Sequence, residues 1–260
     1  MTQVKKFWPI LTGTHRYDKS LSVRGQMTGT IIDAPILAYL IETANGRILY
    51  DVGCDYGKIA DPVLRKRFYE HEGFPFGPPR MTEEQRLPNR LAELGLQKED
   101  VDVVFCGHLH FDHAGGVCEF CGAEVHVHEK ELDAARNLAD EAYFAEDIDC
   151  PVNWRVYKGE YDLVPGVRAI ETPGHTAGHM SMLIELPKGS PILLAGDAAD
   201  LRENLEREIA PGLCYRDDEA TALASIRKLK SLALETGAEL WPNHDMIFFE
   251  SRNRFPKFFD

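Results

Sequence analysis

The stretch Gly107-His108-Leu109-His110-Phe111-Asp112-His113-Ala114-Gly115-Gly116 places three histidines and one aspartate within six positions, directly after the apolar run Val101 to Cys106. Packing gives no reason for so many ligand-capable side chains in one place, and the reading that follows is a metal site. In an extended chain residues i and i+2 point to the same side. His108 and His110 can therefore grip one ion, while Asp112 and His113, past the bend, reach a neighbouring one. Imidazole and carboxylate without thiolate suit borderline divalent ions, zinc first among them. A structural zinc site is closed by four protein ligands, often cysteines, whereas two ions sharing histidines and aspartates leave room for water. That difference favours catalysis.

One loop does not complete two sites. Further ligand-type residues stand at the ends of other apolar runs: His175 and His179 in Pro173-Gly174-His175-Thr176-Ala177-Gly178-His179, Asp197 after Pro191 to Ala195, and His244 in Trp241-Pro242-Asn243-His244-Asp245. Functional side chains collect at strand ends and loops carried by a rigid sheet. The HxHxDH pattern of 108–113, followed by His175, Asp197 and His244, resembles the metallo-β-lactamase-fold superfamily. Within it, several segments look like the N-acyl homoserine lactonase group: HLHFDHAGG at 108–116, TPGHTAGHMS at 172–181, Asp197-Ala198-Ala199 followed by Arg202-Glu203-Asn204, and Ser225-Ile226-Arg227-Lys228-Leu229-Lys230. Ile48 to Gly53 and Met81 to Glu84 extend the likeness over most of the chain.

The resemblance implies an α/β protein with a four-layer αββα sandwich and a dinuclear zinc centre. His108, His110 and His175 would hold one zinc, Asp112, His113 and His244 the other, with Asp197 bridging. It implies a hydrolase that opens a lactone ring by attack of metal-bound hydroxide, with N-acyl homoserine lactones, the quorum signals, as first substrate class. One departure stands out. These lactonases usually carry a tyrosine three residues after the bridging aspartate, placed to hydrogen-bond the substrate carbonyl or leaving group, and this chain has Asp200 there. A same-fold hydrolase of another lactone, a cyclic imide, an ester or a thioester, in the manner of glyoxalase II, is the alternative that Asp200 keeps open.

Paired divalent ions lower the pKa of a shared water toward neutrality and polarise an ester carbonyl. Asp112 and Asp200 are the candidate catalytic carboxylates. As a general acid Asp200 would need a proton near neutral pH, which burial or a neighbouring carboxylate provides; the alternative is a cap on a helix from Arg202 to Glu208. His179 reads as structural, since seven ligands already suffice, and Asp51 as a carboxylate that orients a ligating histidine. The sequence has no GxSxG nucleophile elbow. A diiron redox protein on the same fold is disfavoured by His110, where the flavodiiron members usually have glutamate.

The 260 residues fit one α/β domain spanning 1–260. A net charge of −13, from 42 acidic against 29 basic residues, argues against a phosphate-tracking surface and hence against nucleic acid. The chain start has no signal-like apolar stretch, and no segment approaches the roughly 20 apolar residues of a membrane span, so a cytoplasmic protein without a membrane partner is expected. Six cysteines in a chain too large to need staples are expected to be reduced; Cys118 and Cys121 with His126 and His128 form a weaker zinc-knuckle or redox alternative.

Apolar runs predict strands near 36–42, 47–52, 101–106, 123–127, 167–171, 180–186, 191–195 and 238–241. Helical spacing appears over 217–235, stopped by Gly237, and over 82–94 and 128–139. Phe68 to Pro79 reads as a long surface loop whose Phe74 and Phe76 either line a pocket or pin the loop to the core. The aromatic termini, Phe7-Trp8 and Phe255 to Phe259, would permit a homodimer.

Overall fold

The computed structural model describes residues 2–26 and 28–260. Six strands form one sheet in chain order: β1 (Val4–Asp18), β2 (Ile31–Thr43), β3 (Arg47–Tyr50), β4 (Val103–Phe105), β5 (Glu124–His128) and β6 (Asn153–Tyr157). The second sheet reads β11-β10-β9-β8-β7, from β7 (Tyr161–Val164), β8 (Val167–Glu171), β9 (Met180–Ile184), β10 (Ile192–Leu194) and β11 (Glu239–Trp241). Strands β3 to β6 are mutually parallel, as are β10 and β11.

Alternation along β2 builds the layers. Leu37, Tyr39 and Ile41 face inward and meet Met182, Ile184, Leu194 and Trp241 of the second sheet, while Ala38 and Leu40 face outward. Burial on both faces explains the continuous apolar run of this strand. Nine helices are α1 (Tyr56–Ala60), α2 (Pro62–Phe68), α3 (Leu87–Glu93), α4 (Phe111–Ala114), α5 (Glu129–Arg136), α6 (Ala145–Ile148), α7 (Arg202–Arg207), α8 (Glu219–Thr236) and α9 (Met246–Arg252) among the described residues. Leu87 and Leu91 of α3 and Leu132 of α5 cover the outer face of the first sheet. Leu205 of α7 with Ile226 and Leu229 of α8 cover that of the second. The result is the expected αββα order.

The predicted strands fall on β2–β5 and β8–β11, and 217–235 matches α8, which Asp218 caps by accepting from Thr221 N and which Gly237 ends at φ 69°. Strands β1, β6 and β7 were not foreseen. The helix expected over 82–94 is a short 3-10 turn, Glu83–Gln85, and then α3, with Pro88 in its first turn. The expected reduced state does not hold throughout: Cys118 and Cys150, 32 positions apart, are bonded, and Cys54, Cys106, Cys121 and Cys214 are free. A large core removes the need for a staple without preventing one. The zinc-knuckle alternative falls as well, because His126 Nδ1 pairs with the Tyr161 hydroxyl at 2.9 Å and His128 caps α5 by accepting from Lys130 N.

Phe74 is buried and pins its loop against Tyr69 and Phe111, whereas Phe76 reaches the pocket described below. At the termini, Phe7 and Phe259 exchange two backbone hydrogen bonds of 2.9 Å, and Trp8 Nε1 donates to Pro256 O at 3.0 Å. Among the described residues no helix is long and apolar enough to cross a membrane.

Candidate metal centre

Every ligand-type residue lies a few positions past the C-terminal end of a strand: His108 to His113 after β4, His175 after β8, Asp197 after β10 and His244 after β11. That edge of an α/β sheet is where ligands bind. The HxHxDH stretch bends because α4 begins immediately after His110, whose carbonyl accepts from His113 N at 3.0 Å and Ala114 N at 2.9 Å. The two glycines that follow are required by space. A Cβ on Gly115 would lie 2.4 Å from Phe111 O and 2.6 Å from Asp55 N, and one on Gly116 would lie 2.7 Å from Val52 O.

Four histidines donate outward from one ring nitrogen and turn the other inward. His113 Nδ1 donates to Asp51 Oδ2 at 2.7 Å, His244 Nδ1 to Pro35 O at 2.8 Å, His175 Nδ1 to Leu213 O at 3.2 Å, and His110 Nε2 to Asp140 Oδ2 at 3.2 Å. Asp51 is thus the orienting carboxylate expected from the sequence, and its Oδ1 also accepts from Gly107 N at 2.8 Å. His108 is fully buried with neither nitrogen partnered, and His113 Nε2 is buried and unpartnered too. The inward nitrogens of His110 and His175 stand 3.1 Å apart.

Asp197 sits at the middle. Its Oδ2 lies 3.2 Å from His244 Nε2, 3.3 Å from His113 Nε2, 3.5 Å from His175 Nε2 and 3.7 Å from His108 Nε2. Ligand atoms of His108, His110 and His175 lie within 4.8 Å of one another, as do those of Asp112, His113 and His244. These are the two triads named from the sequence. Asp200 with Asp197 and His244 forms a further such group. Converging lone pairs with outward-donating second nitrogens are the arrangement a divalent cation needs, so the residues present fit two such ions.

The electrostatics agree. Burial pushes His175 down to about 4. At His244 burial acts in the same sense but is outweighed by Asp197, Asp200 and Asp112, and the imidazole is pushed up to about 10. His113 is likewise raised, against its burial, by Asp197, Asp112 and Asp51. The centre attracts positive charge. Burial first, and then the charge of Asp197, pushes the Asp200 carboxyl up to about 8.

Three supporting residues stand outside the ligand set. His179 is structural, as expected: Asp197 N donates to its Nε2 at 2.9 Å, its Nδ1 lies 2.9 Å from Thr172 Oγ1, and burial pushes it down to about 3. Asp200 does not cap α7: Leu201 N, just before the helix, donates to Asn204 Oδ1 and Arg202 N, at its start, to Asp245 Oδ2, while the Oδ1 of Asp200 is buried and unclaimed. Glu131 carried no signal in the sequence beyond its helix. It is fully buried and ties the two ligand loops together, accepting from Leu109 N and Tyr143 Oη at 2.9 Å each on Oε1, and from Thr176 Oγ1 at 2.6 Å and Gly178 N at 3.1 Å on Oε2.

Above the centre opens a pocket walled by Asp112, Asp197, Asp200, His110, His175 and His244 and by the apolar Leu21, Phe76, Phe111, Ala142 and Leu213. His15 and Tyr17 of β1 complete it, and neither was singled out from the sequence. Their i, i+2 spacing was the available signal, hidden because β1 itself was not recognised.

Residues 32–240 match the family model of the metallo-beta-lactamase superfamily. The chain is similar to an N-acyl homoserine lactonase of a Bacillus species, 36% identical over 98% of this chain and 99% of the relative. It is 35% identical, with the same coverage, to N-acyl homoserine lactonase AiiA of Bacillus thuringiensis subsp. kurstaki. A solved N-acyl homoserine lactone hydrolase, with the product N-hexanoyl-L-homoserine at its catalytic metal centre, superposes with a TM-score of 0.90 at 34% identity, covering both chains fully.

Proposed function

This chain belongs to the metallo-beta-lactamase superfamily, and on that premise we propose that it is a metal-dependent hydrolase that opens the ring ester of an N-acyl homoserine lactone, a quorum-quenching activity. The observation that carries the reading is the convergence of four histidines from both sheets on one oxygen, Asp197 Oδ2, within 3.7 Å, at the floor of a pocket walled by apolar and carboxylate side chains. Two divalent ions, zinc first, would be held by His108, His110 and His175 on one side and by Asp112, His113 and His244 on the other with Asp197 shared, and when bound would supply a nucleophile at neutral pH and positive charge beside the ester carbonyl.

The chain's own groups do the rest. Asp51, Asp140 and the carbonyls of Pro35 and Leu213 fix four of the five imidazoles, those of His113, His110, His244 and His175, in the tautomer that turns a lone pair inward. Asp112, whose carboxylate is partly open to the pocket, is placed to take a proton during attack. Asp200, on the same wall with Oδ1 unclaimed, is the second proton carrier of this reading. Phe76, Leu21, Leu213 and Ala142 offer apolar surface for an acyl chain.

Asp200 also favours a second reading, hydrolysis of another lactone, a cyclic imide, an ester or a thioester. Proton release from a panel of acyl homoserine lactones, γ- and δ-lactones, an aromatic lactone, a cyclic imide and a glutathione thioester separates the two, with His108→Ala as the blank. Acyl homoserine lactones leading the panel supports the first reading, and another ring leading it supports the second. The partner in either case is a small molecule, with neither nucleic acid nor membrane required, in a cytoplasmic protein. A homodimer stays a proposal: Phe7, Trp8 and Phe259 pack within the chain, while Phe258 of the same segment is exposed.

A further inference from the structure

The side chains lining the pocket include one hydroxyl among the described residues, that of Tyr17. The other polar groups of the wall are the ligand set, Asp200 and His15, and His15 has already committed its Nε2–H to the carbonyls of Phe76 at 3.1 Å and Gly77 at 2.9 Å. Tyr17 is therefore the one hydroxyl, beside the Asp200 carboxyl, that a substrate oxygen entering the pocket would meet. We propose that Tyr17 binds substrate through its hydroxyl, donating a hydrogen bond to an oxygen of the ester that is opened, and that Ser22 is the positioning residue that aims it. This rests on the hydrolase reading given above.

The placement is built rather than incidental. Tyr17 shares a face of β1 with His15, and the two rings pack edge to face with centroids 5.2 Å apart. The chain then turns: Asp18 caps the 3-10 turn Lys19–Leu21 by accepting from Ser20 N at 2.9 Å, and this returns Ser22 beneath the phenol. Ser22 Oγ lies 2.8 Å from Tyr17 Oη. Ser22 is fully buried, and its carbonyl accepts from Asn204 Nδ2 of α7 at 2.9 Å, so the turn is anchored to the helix that follows Asp200. The Ser22 hydroxyl stands between the phenol and the Asp200 carboxyl, and where it donates to Tyr17 Oη rather than to Asp200 the tyrosine hydrogen is free for the pocket. Burial, and then the charges of Asp200, Asp197 and Asp112, hold the phenol protonated and so keep it a donor.

The test uses the metal-loaded full chain and the lactone it turns over fastest. Wild type, Tyr17→Phe, Ser22→Ala and the double variant are compared for kcat and KM, for calorimetric affinity toward the ring-opened product, and for zinc content. Tyr17→Phe should retain zinc and melting temperature while losing about 10- to 100-fold in kcat/KM, the range for one hydrogen bond that strengthens on charge development, and should bind product more weakly. Ser22→Ala should cost severalfold alone and nothing further when added to Tyr17→Phe, since Ser22 acts through the phenol. Should Tyr17→Phe lose zinc, the Ser22→Ala variant, with its phenol intact, decides by its KM, kcat and product affinity. A Tyr17→Phe enzyme within twofold of wild type in kcat, KM and product affinity overturns the proposal while leaving the hydrolase reading intact. A wild type that hydrolyses nothing in the panel overturns both.

Discussion

Replacing Glu131 should cost far more than a surface-helix glutamate, and in a graded way. Its two oxygens each accept one backbone N–H and one hydroxyl: Leu109 N with Tyr143 Oη, and Gly178 N with Thr176 Oγ1. In Glu131→Gln the amide N–H₂ must face one of these pairs. A hydroxyl can rotate and accept from it, but a backbone N–H cannot, so whichever way the amide flips one buried N–H is left opposed. That leaves about 1–3 kcal/mol of lost stability. In Glu131→Ala both backbone donors are stranded, and the cost rises to about 2–6 kcal/mol before any cavity term. Against a typical total of about 5–15 kcal/mol this is a large share. Urea unfolding of the three proteins, with m-values checked for constancy, measures it. Two results would refute the reasoning: an alanine variant within about 1 kcal/mol of wild type, or a glutamine variant that falls as far as alanine.

The remaining predictions concern metal, proton and pH. Asp51→Asn should weaken metal binding about 10- to 100-fold in a chelator competition, because His113 loses the carboxylate that fixes its tautomer; unchanged affinity would deny Asp51 that role. Chelation should abolish hydrolysis and lower the stability of wild type, by about 2.7 kcal/mol when compared with metal at 100-fold over its dissociation constant, while His108→Ala should show a smaller difference in the same melting experiment. Asp147 is buried against Lys58, and burial pushes its carboxyl up to about 7 despite the pull of the ammonium. The folded chain therefore holds a proton that the unfolded chain releases near pH 4. This contribution is full below about pH 4 and is lost as the pH rises through 7. Stability measured at pH 5 and pH 8 should fall more for wild type than for Asp147→Asn, and parallel curves would contradict the assignment. Asp200→Asn should slow turnover and displace its pH profile; an unaltered profile would remove Asp200 from proton transfer.

The centre was legible in the sequence because ligand chemistry is local. His108 to His113 announce themselves by density, and His175, Asp197 and His244 by standing at the ends of apolar runs that are strands. The rest depended on tertiary placement. Strand β1 carries Pro9, Gly13 and charged residues with no clean alternation, and its bulges near Lys6 and Gly13 break the period on which strand reading relies. His15 and Tyr17 were lost with it. Glu131 looked like any helical glutamate, since nothing in its neighbours shows that two distant loops supply four donors to it. The Cys118–Cys150 bond links segments whose proximity only the fold provides.

Strand β1 lies at the end of the first sheet, with one side of its backbone facing away from β2. Such an edge is a template for pairing with another molecule. Here it is guarded at both ends: Phe259 pairs with Phe7, and Arg80 pairs with Thr14, where a Cβ on Gly13 would come 3.0 Å from the Arg80 carbonyl. The segment around Phe259 thus shields a sheet edge as well as packing against it. Trimming it would leave every residue of the pocket in place yet uncover an extended hydrogen-bonding edge beside Phe7 and Trp8, and self-association, rather than loss of chemistry, would be the first defect of the shortened protein.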